Sequence, residues 1–171
     1  GVRYSRTYLT SFSDDIALVK LQANLKGKVN VTLSLSRPER SVTTVDGEAL
    51  VMSGQLNNGT DGKGMSYRVK VKPLLKGGEI TAKGNELRIR NANEVILHIS
   101  AATDFRDVDY SKKVDDLLKA GAKKSFERQV TEHTRNYRRL FDRVSFNLGS
   151  RQLSLPTDER LYRFSKDPQS D

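Results

Sequence analysis

The hydrophobic period of the sequence changes near Tyr110, and this change limits the possible folds more than any other feature. Before it, apolar and polar residues alternate over residues 29–36 and 65–72. A period of two is that of a β-strand with one buried face and one solvated face. Residues 16–21 and 95–99 are apolar on both faces, which predicts central strands covered on both sides.

Turn-forming residues separate these runs. Gly27, Gly84 and residues 91–93 mark turns, and Gly77-Gly78 predicts a two-residue β-hairpin. Nine strands are predicted, near residues 2–10, 15–23, 28–36, 41–45, 49–56, 65–74, 79–82, 86–90 and 94–101. No helical pattern interrupts them, which argues against a parallel βαβ fold. The first part of the chain is therefore expected to be an antiparallel β-sandwich.

The rest of the chain begins with helical periodicity. A short helix is predicted over residues 112–120, and a longer amphipathic helix over about residues 123–142. The apolar stripe of the longer helix, part of which is expected to stay exposed, consists of Phe126, Val130, His133, Tyr137, Leu140 and Val144. Residues 144–148 predict a short strand, and the tail 151–171 shows no clear element. The predicted fold is thus mainly β, an antiparallel β-sandwich followed by a short helical linker region.

Few side chains in this sequence suit catalysis or metal binding. The chain has two His and no Cys, whereas general bases are most often His. His98 is predicted to lie in a strand as a packing or surface residue, and His133 on the long helix as an interface residue. Without a thiol or a second His one helical turn away, no transition-metal site is expected. We therefore assign no catalytic, cofactor-binding or metal-binding residue, and we expect no cofactor.

Three acidic residues follow the last predicted strand. Glycoside hydrolysis needs two carboxylates that face each other across the sugar, and Asp104, Asp107 and Asp109 are close only in sequence. They are expected to cap and solvate the strand-to-helix connection, and residues 14–15 to form a turn. The Gly-rich residues 59–64 lack the glycine order and the following helix of a phosphate-binding loop, which predicts a flexible hairpin loop.

The net charge of +9 raises the question of an acidic partner. Five basic residues offer a charged sheet face, namely Arg68, Lys70, Lys72, Arg88 and Arg90. They lack the interleaved aromatic residues that stack nucleic-acid bases, so no nucleic-acid partner is expected. No apolar run reaches the length of a membrane span. Asn30 and Asn58 begin N-glycosylation acceptor patterns, which matter only in a secreted eukaryotic protein.

Five strings of residues occur in a characteristic order along the chain. They cover residues 1–6, 15–21, 101–105, 137–144 and 155–161. The most specific are the last two, which read YRRLFDRV and LPTDERL. In this order the strings resemble the N-terminal β-domain and helical linker of glycoside hydrolase family 95, the inverting α-L-fucosidase-like enzymes. The resemblance spans nearly the whole chain.

This resemblance implies a super-sandwich of antiparallel strands, a helical linker and then a large (α/α)6-barrel that performs the chemistry. Residues 1–110 would then be part of the sandwich domain, 111–143 the linker, and 144–171 a short strand and tail leading to the missing barrel. The catalytic acid and the water-activating base of such enzymes lie in the barrel, so no catalytic residue is carried over to this chain. The parent protein is implied to be secreted or periplasmic.

Two functions remain open at this point. In the first, the chain is a non-catalytic N-terminal domain fragment of a glycoside hydrolase resembling α-L-fucosidases. Its partners would be the catalytic barrel of the same polypeptide and the carbohydrate substrate of the parent enzyme. In the alternative, the chain is a stand-alone β-sandwich module that binds glycan or protein. Sequence downstream of Asp171 distinguishes the two, because only the first requires a barrel.

Overall fold

A computed structural model describes residues 1–147 and 154–169. The described residues form nine strands and three helices, and two compact units, Gly1–Asn136 and Tyr137–Asp171. The strands are β1 (Tyr4–Ser11), β2 (Ile16–Ala23), β3 (Val29–Leu33), β4 (Ser41–Asp46), β5 (Ala49–Gln55), β6 (Ser66–Lys76), β7 (Glu79–Lys83), β8 (Glu86–Ala92) and β9 (Glu94–Thr103). The helices are α1 (Tyr110–Gly121), α2 (Phe126–Phe141) and α3 (Thr157–Lys166). All nine predicted strands are confirmed.

Six strands form a large antiparallel sheet in the order β1-β2-β9-β6-β5-β4. Strand β9 lies in its interior, where His98 is opposite Leu18 on one side and Lys72 on the other. Strand β2 is also flanked on both edges, by β1 and β9. The two strands that the sequence marks as apolar on both faces are therefore interior strands, as expected.

The other three strands form a small antiparallel sheet in the order β3-β8-β7. The predicted two-residue hairpin at Gly77-Gly78 is wrong, because β6 belongs to the large sheet and β7 to the small one. The two glycines carry the chain between the sheets, with φ angles of 67° and 76°. A Cβ on Gly78 would lie 2.3 Å from the carbonyl oxygen of Arg90, so only glycine fits there.

The main hydrophobic core lies between the two sheets. Its buried residues are Val29, Val71, Ile89, Ala92, Val95 and Leu97. Val31, Leu33 and Leu35 are half-buried and pack against this core, whereas Asn30 and Thr32 are exposed. The alternation in residues 29–36 thus places its apolar side inward, because successive side chains of a strand point to opposite faces.

The second face of the large sheet is covered by helices. Helix α1 packs on strands β9, β6 and β2. A second core on this face contains Ile16, Leu18, Leu118 and Phe126, with Val130 packed against it. The large sheet is therefore the middle layer of three, since the small sheet covers one face and α1 with the start of α2 covers the other.

The C-terminal unit differs from the sequence-based expectation in two places. Helix α2 ends at Phe141, and residues 144–147 form no strand; the last residue of the predicted strand, Leu148, lies outside the described residues. The tail was expected to lack regular structure, but α3 forms there, beginning after Pro156. The acidic residues Asp158 and Glu159 in its first turn favour a helix start there, because they oppose the positive end of the helix dipole.

No helix in residues 1–147 and 154–169 is both long enough and apolar enough to cross a membrane.

Candidate functional site on the helix-covered face of the large sheet

The helix-covered face of the large sheet combines apolar packing with ion pairs, and the first group of ion pairs fixes α1. Lys70 of β6 lies 2.7 Å from Asp115 of α1 and 2.7 Å from Asp46 of β4. Arg68 lies 3.4 Å from Asp115. Burial by itself would lower the pKa of Lys70, but hydrogen bonds to the two carboxylates outweigh it and raise that pKa.

A second group surrounds Glu94, whose side chain is only 7% exposed. Lys76 and Lys20 lie 2.7 Å and 3.1 Å from its carboxylate, and Gln22 donates a hydrogen bond to it at 2.6 Å. Burial opposes ionisation of Glu94, but the two lysines outweigh burial and lower its pKa. Lys20 also lies 3.0 Å from Glu127, so the group joins the sheet to α2.

The third group fixes the turn between α1 and α2. Lys124 Nζ lies 2.6 Å from both Asp14 and Glu132. The hydrogen bonds from Lys124 and Arg128 lower the pKa of Glu132 to about 2. The Gln129 side chain is fully buried, and its Nε2 donates to the carbonyl oxygens of Gly121 and Lys124 at 3.3 Å. These contacts hold the turn between the two helices.

His98 lies on the same face and is 2% exposed. The side chain therefore packs inside the fold and does not lie on the surface. Within residues 1–147 and 154–169, neither ring nitrogen has a hydrogen-bond partner of good geometry. Burial lowers the pKa of His98 below its ordinary value of 6.5. A backbone contact at Ile96 and the charge of Asp14 oppose this shift, whereas the positive charge of Lys72 adds to it. The imidazole is therefore neutral at pH 7.

The buried imidazole makes the stability of the chain depend on pH. Because the pKa of His98 is lower in the folded state, the unfolded chain takes up this proton at a higher pH. The stabilisation is complete above pH 6.5 and is lost as the pH falls below 6.5 towards the folded pKa. We expect the free energy of unfolding, measured with urea, to fall between pH 6.5 and 5 by at most about 1.4 kcal/mol per pH unit.

Two variants separate this effect from other titrations. The His98→Gln variant should lose the slope between pH 6.5 and 5, whereas Val42→Ser, a change at an exposed residue that does not titrate, should keep it. Carboxylates whose pKa is lowered, such as Glu94, begin to reduce stability near pH 5, so the difference between the wild type and His98→Gln, and not the wild-type slope alone, assigns the effect to His98. A wild-type stability that is constant across this range would contradict the assignment to His98.

Two of the acidic residues after β9 make contacts around the connection to α1. Asp104 accepts a hydrogen bond from the backbone of Ser66 at 3.0 Å, and Asp107 lies 2.6 Å from Lys113. Asp109 occupies the N-cap position of α1 but makes no capping hydrogen bond with its side chain. The carboxylates of Asp104 and Asp107 thus organise the connection from β9 to α1, whereas the expected side-chain cap by Asp109 does not form.

The Gly-rich loop joins two antiparallel strands, β5 and β6, so it is a hairpin loop as predicted. Side chains also organise it. Asn58 accepts hydrogen bonds from the backbone of Thr60 and Gly62, and Asp61 accepts one from Lys63. These hydrogen bonds from Lys63 and from Asn58 lower the pKa of Asp61. Backbone N–H groups of the loop are therefore already used in hydrogen bonds within the loop, so fewer of them can bind an anion than its glycines suggest.

The predicted basic sheet face does not form. Arg68, Lys70 and Lys72 belong to the large sheet, whereas Arg88 and Arg90 belong to the small one. Arg68 and Lys70 are half-buried beneath α1. The alternating pattern predicts that this side of β6 faces solvent. In the structure α1 covers it and Asp115 pairs with Arg68 and Lys70, so this side is an interface between sheet and helix.

The structure confirms that part of the apolar stripe of α2 is exposed. Phe126 is buried and Val130 half-buried, whereas Tyr137, Leu140 and Phe141 are 54%, 56% and 61% exposed. His133 is half-buried on α2. Over the part of the chain that the structure describes, no group of three or more His, Cys, Asp or Glu residues is placed to hold a metal ion.

Sequence reasoning missed the residues that fix the helices. No local pattern singles out Glu94 or Gln129, and residues 14–15 are expected only to form a turn. One signal was available, since Gln129 lies between Phe126 and Val130 on the buried side of the helix. The ion-pair partners are far apart in sequence, so no local sequence pattern indicates that they pair.

Comparison with known proteins identifies the first part of the chain. Residues 1–108 match the profile described as "Glycosyl hydrolase family 65, N-terminal domain". No curated protein sequence matches the chain significantly. Among solved structures, a protein titled "Putative kojibiose phosphorylase from human microbiome" has a similar fold, with a TM-score of 0.55 and 11% identity. The match covers 82% of this chain and 21% of that one, so this chain spans about a fifth of that protein's length.

These matches confirm the coarser expectation of an N-terminal β-domain of a glycoside hydrolase. They do not support the finer one, because the matching profile describes family 65 and not the fucosidase-like family 95. The match covers well over half of the 171 residues. The chain therefore belongs to the glycosyl hydrolase family 65 N-terminal domains.

Proposed function

We propose that this chain is a non-catalytic domain that supports and orients the catalytic domain of a glycoside hydrolase. The observation that carries the proposal is the contrast along α2. Its first half is fixed to the sandwich by buried Phe126 and by the ion pair between Lys20 and Glu127. Beyond it, Tyr137, Leu140 and Phe141 are exposed. A helix with one fixed end and one exposed apolar end is suited to receive another domain.

From this contrast we assign a structural role to each part of the chain. We assign residues 1–110 to the sandwich domain, residues 111–143 to a helical linker, and residues 144–171 to a connection towards the catalytic domain. An (α/α)6-barrel is the proposed form of that domain. The acid that protonates the leaving oxygen and the base that activates water would both lie in it. Any contact between the substrate and this domain would therefore lie at the wall of the substrate-binding cleft of the catalytic domain.

The exposed apolar end of α2 leads to a prediction for the isolated chain. Each large apolar side chain that leaves water gains about 1.5 to 3 kcal/mol, so these residues should promote reversible self-association. Light scattering across a concentration series is expected to show oligomers that weaken when Tyr137 and Leu140 are both replaced by Ser.

The matched control for this experiment uses exposed apolar residues elsewhere. Phe12 and Val42 are 75% and 65% exposed, and replacing both by Ser should leave the association unchanged. A strictly monomeric wild type would contradict the prediction. Equal weakening by both double variants would mean that general surface hydrophobicity, and not the end of α2, drives association.

The support role itself is tested in the full-length polypeptide that contains this chain. The Leu140→Ser and Phe141→Ser double variant should lower both the hydrolase activity and the temperature of inactivation, whereas the Val42→Ser variant should change neither. The chain of residues 1–171 alone should hydrolyse no aryl glycoside. Turnover by the pure chain, abolished by Asp104→Asn or Asp107→Asn, would overturn the proposal.

The substrate is a finer proposal. The strings at residues 137–144 and 155–161 favour an inverting α-L-fucosidase-like parent, whereas the solved structure with a similar fold is titled a kojibiose phosphorylase. The full-length protein distinguishes them in two assays. Release of aryl alcohol from an aryl α-L-fucoside without phosphate supports the first, and cleavage of kojibiose that requires inorganic phosphate supports the second.

The alternative function is a stand-alone module that binds glycan or protein by its own surface. The coding sequence beyond Asp171 separates it from the support role, because a stand-alone module would be followed by no catalytic domain. Binding of the chain to an immobilised catalytic domain, lost in the Tyr137 and Leu140 double variant, would favour support over independent binding.

A further inference from the structure

The exposed end of α2 and the turn after it carry positive charges that have no partner. Four arginines occur in residues 135–143, namely Arg135, Arg138, Arg139 and Arg143. The same segment contains one acidic residue, Asp142. All four arginines are exposed, and in the described part of the chain none of them forms an ion pair. This end of the helix is therefore positively charged and uncompensated.

The first half of α2 has a different charge pattern. Glu127 lies 3.0 Å from Lys20, and Arg128 lies 2.9 Å from Glu132. The charges of this half are thus neutralised within the chain. In the second half, Arg139 is followed by another arginine four residues later, and like charges at this spacing repel each other. An acidic surface placed against the second half would remove this repulsion.

Helical geometry places two of these arginines differently with respect to the apolar side chains. Successive residues of an α-helix are about 100° apart, so Tyr137, Leu140 and Phe141 share one side. The rings of Tyr137 and Phe141 stack there, with centroids 5.1 Å apart. Arg138 lies three residues before Phe141 and borders this apolar side. Arg139 points to the opposite side of the helix.

The combination of an apolar side and a bordering arginine indicates the kind of partner. A guanidinium group pairs with a carboxylate through two parallel N–H groups. A protein surface with an apolar centre and carboxylates at its edge would bury Tyr137, Leu140 and Phe141 and pair with Arg138. A nucleic-acid duplex would use the arginines through its phosphates but leave the apolar side in water. The acidic protein surface therefore accounts for both features.

From these features, and resting on the support role proposed above, we propose that the catalytic domain receives the end of α2 on an apolar surface bordered by carboxylates, one of which pairs with Arg138. Burial of Tyr137, Leu140 and Phe141 would exclude water from this border and strengthen the ion pair. The ion pair would in turn fix the rotation of α2 against the catalytic domain, since charged groups at the edge of an interface set its register.

The test compares two neighbouring arginines in the full-length polypeptide that contains this chain. Arg138→Glu should lower the temperature of inactivation by about 2 °C or more, because like charges that meet at an interface destabilise it. Arg139→Glu should stay within about 1 °C of the wild type. Both variants place a negative charge near the C-terminal end of α2, so their effects on the helix dipole are matched. Arg138→Lys, which keeps the charge but not the paired N–H groups, should lie between Arg138→Glu and the wild type.

Two further measurements separate docking from local folding. In the chain of residues 1–171, where Arg138 is exposed, Arg138→Glu and Arg139→Glu should have the same urea midpoint. In the full-length polypeptide, amide hydrogen exchange of residues 137–141 should be faster in Arg138→Glu than in Arg139→Glu, because an undocked helix end opens more readily. Equal exchange in the two variants would contradict a role of Arg138 in docking.

The outcomes distinguish this proposal from the support role. If the Leu140→Ser and Phe141→Ser double variant destabilises the full-length polypeptide while Arg138→Glu behaves like Arg139→Glu, the support role holds and the acidic border is wrong. If the double variant has no effect either, both are wrong. A full-length dimer that dissociates on Arg138→Glu would assign the surface to a second copy. Saturable binding of a DNA duplex, weakened equally by both Glu variants, would assign the arginines to nucleic acid. Either of these last two results would overturn the proposal.

Discussion

Replacing Ile89 by Asp is expected to unfold the chain at room temperature. Ile89 is fully buried between the two sheets and lies opposite Val31 on one neighbouring strand and Ile80 on the other. A carboxylate there has no cation within the core, so the chain must either bury a charge or protonate it. The cost of several kcal/mol is comparable with the 5 to 15 kcal/mol that stabilises a typical domain. Circular dichroism and urea denaturation measure the outcome.

The matched control places the same carboxylate on the solvated side of the small sheet. Thr32 of β3 is exposed and lies opposite Arg88, so Thr32→Asp should change the free energy of unfolding by less than about 0.5 kcal/mol. The conservative variant Ile89→Val should cost about 0.5 to 1.5 kcal/mol. A folded Ile89→Asp protein with a wild-type midpoint would mean that the two sheets are not packed as described.

Replacing Glu94 by Gln is the second change with a large expected effect. Lys20 and Lys76 would lose a carboxylate at about 3 Å, and the Lys20 ammonium is itself mostly buried. Removing one partner of a buried ion pair typically costs 3 to 5 kcal/mol. Since Glu127 still pairs with Lys20 and Lys76 is 70% exposed, we expect a smaller loss, about 1 to 3 kcal/mol. The midpoint of urea unfolding should fall accordingly.

The control is Glu86→Gln, which makes the same chemical change at the start of the preceding strand, β8. Glu86 is half-exposed and its nearest cation, Arg88, lies 3.8 Å away. Exposed ion pairs contribute about 0 to 1 kcal/mol, so this variant should be close to wild type. If Glu94→Gln were as stable as Glu86→Gln, the buried charges would not hold the helices on the sheet.

The strands of this chain were predictable because their cause is local. Alternation in residues 29–36 reports which side chains face the core, and the structure places Val29, Val31 and Leu33 there. The same reasoning failed at Gly77-Gly78. Two glycines between strands are compatible both with a hairpin and with a crossing between sheets. Which of these forms depends on the partners of β6 and β7, and those partners are distant in sequence.

The helix-covered face could not be predicted for a related reason. The alternation of Arg68 and Lys70 with apolar neighbours describes a strand with one polar side, but it does not state what lies over that side. Asp115 comes more than 40 residues later, and Glu127 and Lys124 of the other two groups are further still from Lys20 and Asp14. The buried His98 belongs to this same category, because a histidine in a strand can be exposed or covered.

The sequence by itself determined the nine strands and the first two helices of this protein, since side-chain period and turn residues act within a few positions along the chain. It did not indicate α3. It also determined which side of β3 faces the core, because apolar side chains leave water wherever the strand lies. The division into two sheets, the helical cover and the pairing of buried charges were decided only by the tertiary structure. They depend on distances between residues far apart in sequence, and those distances exist only after the chain has folded.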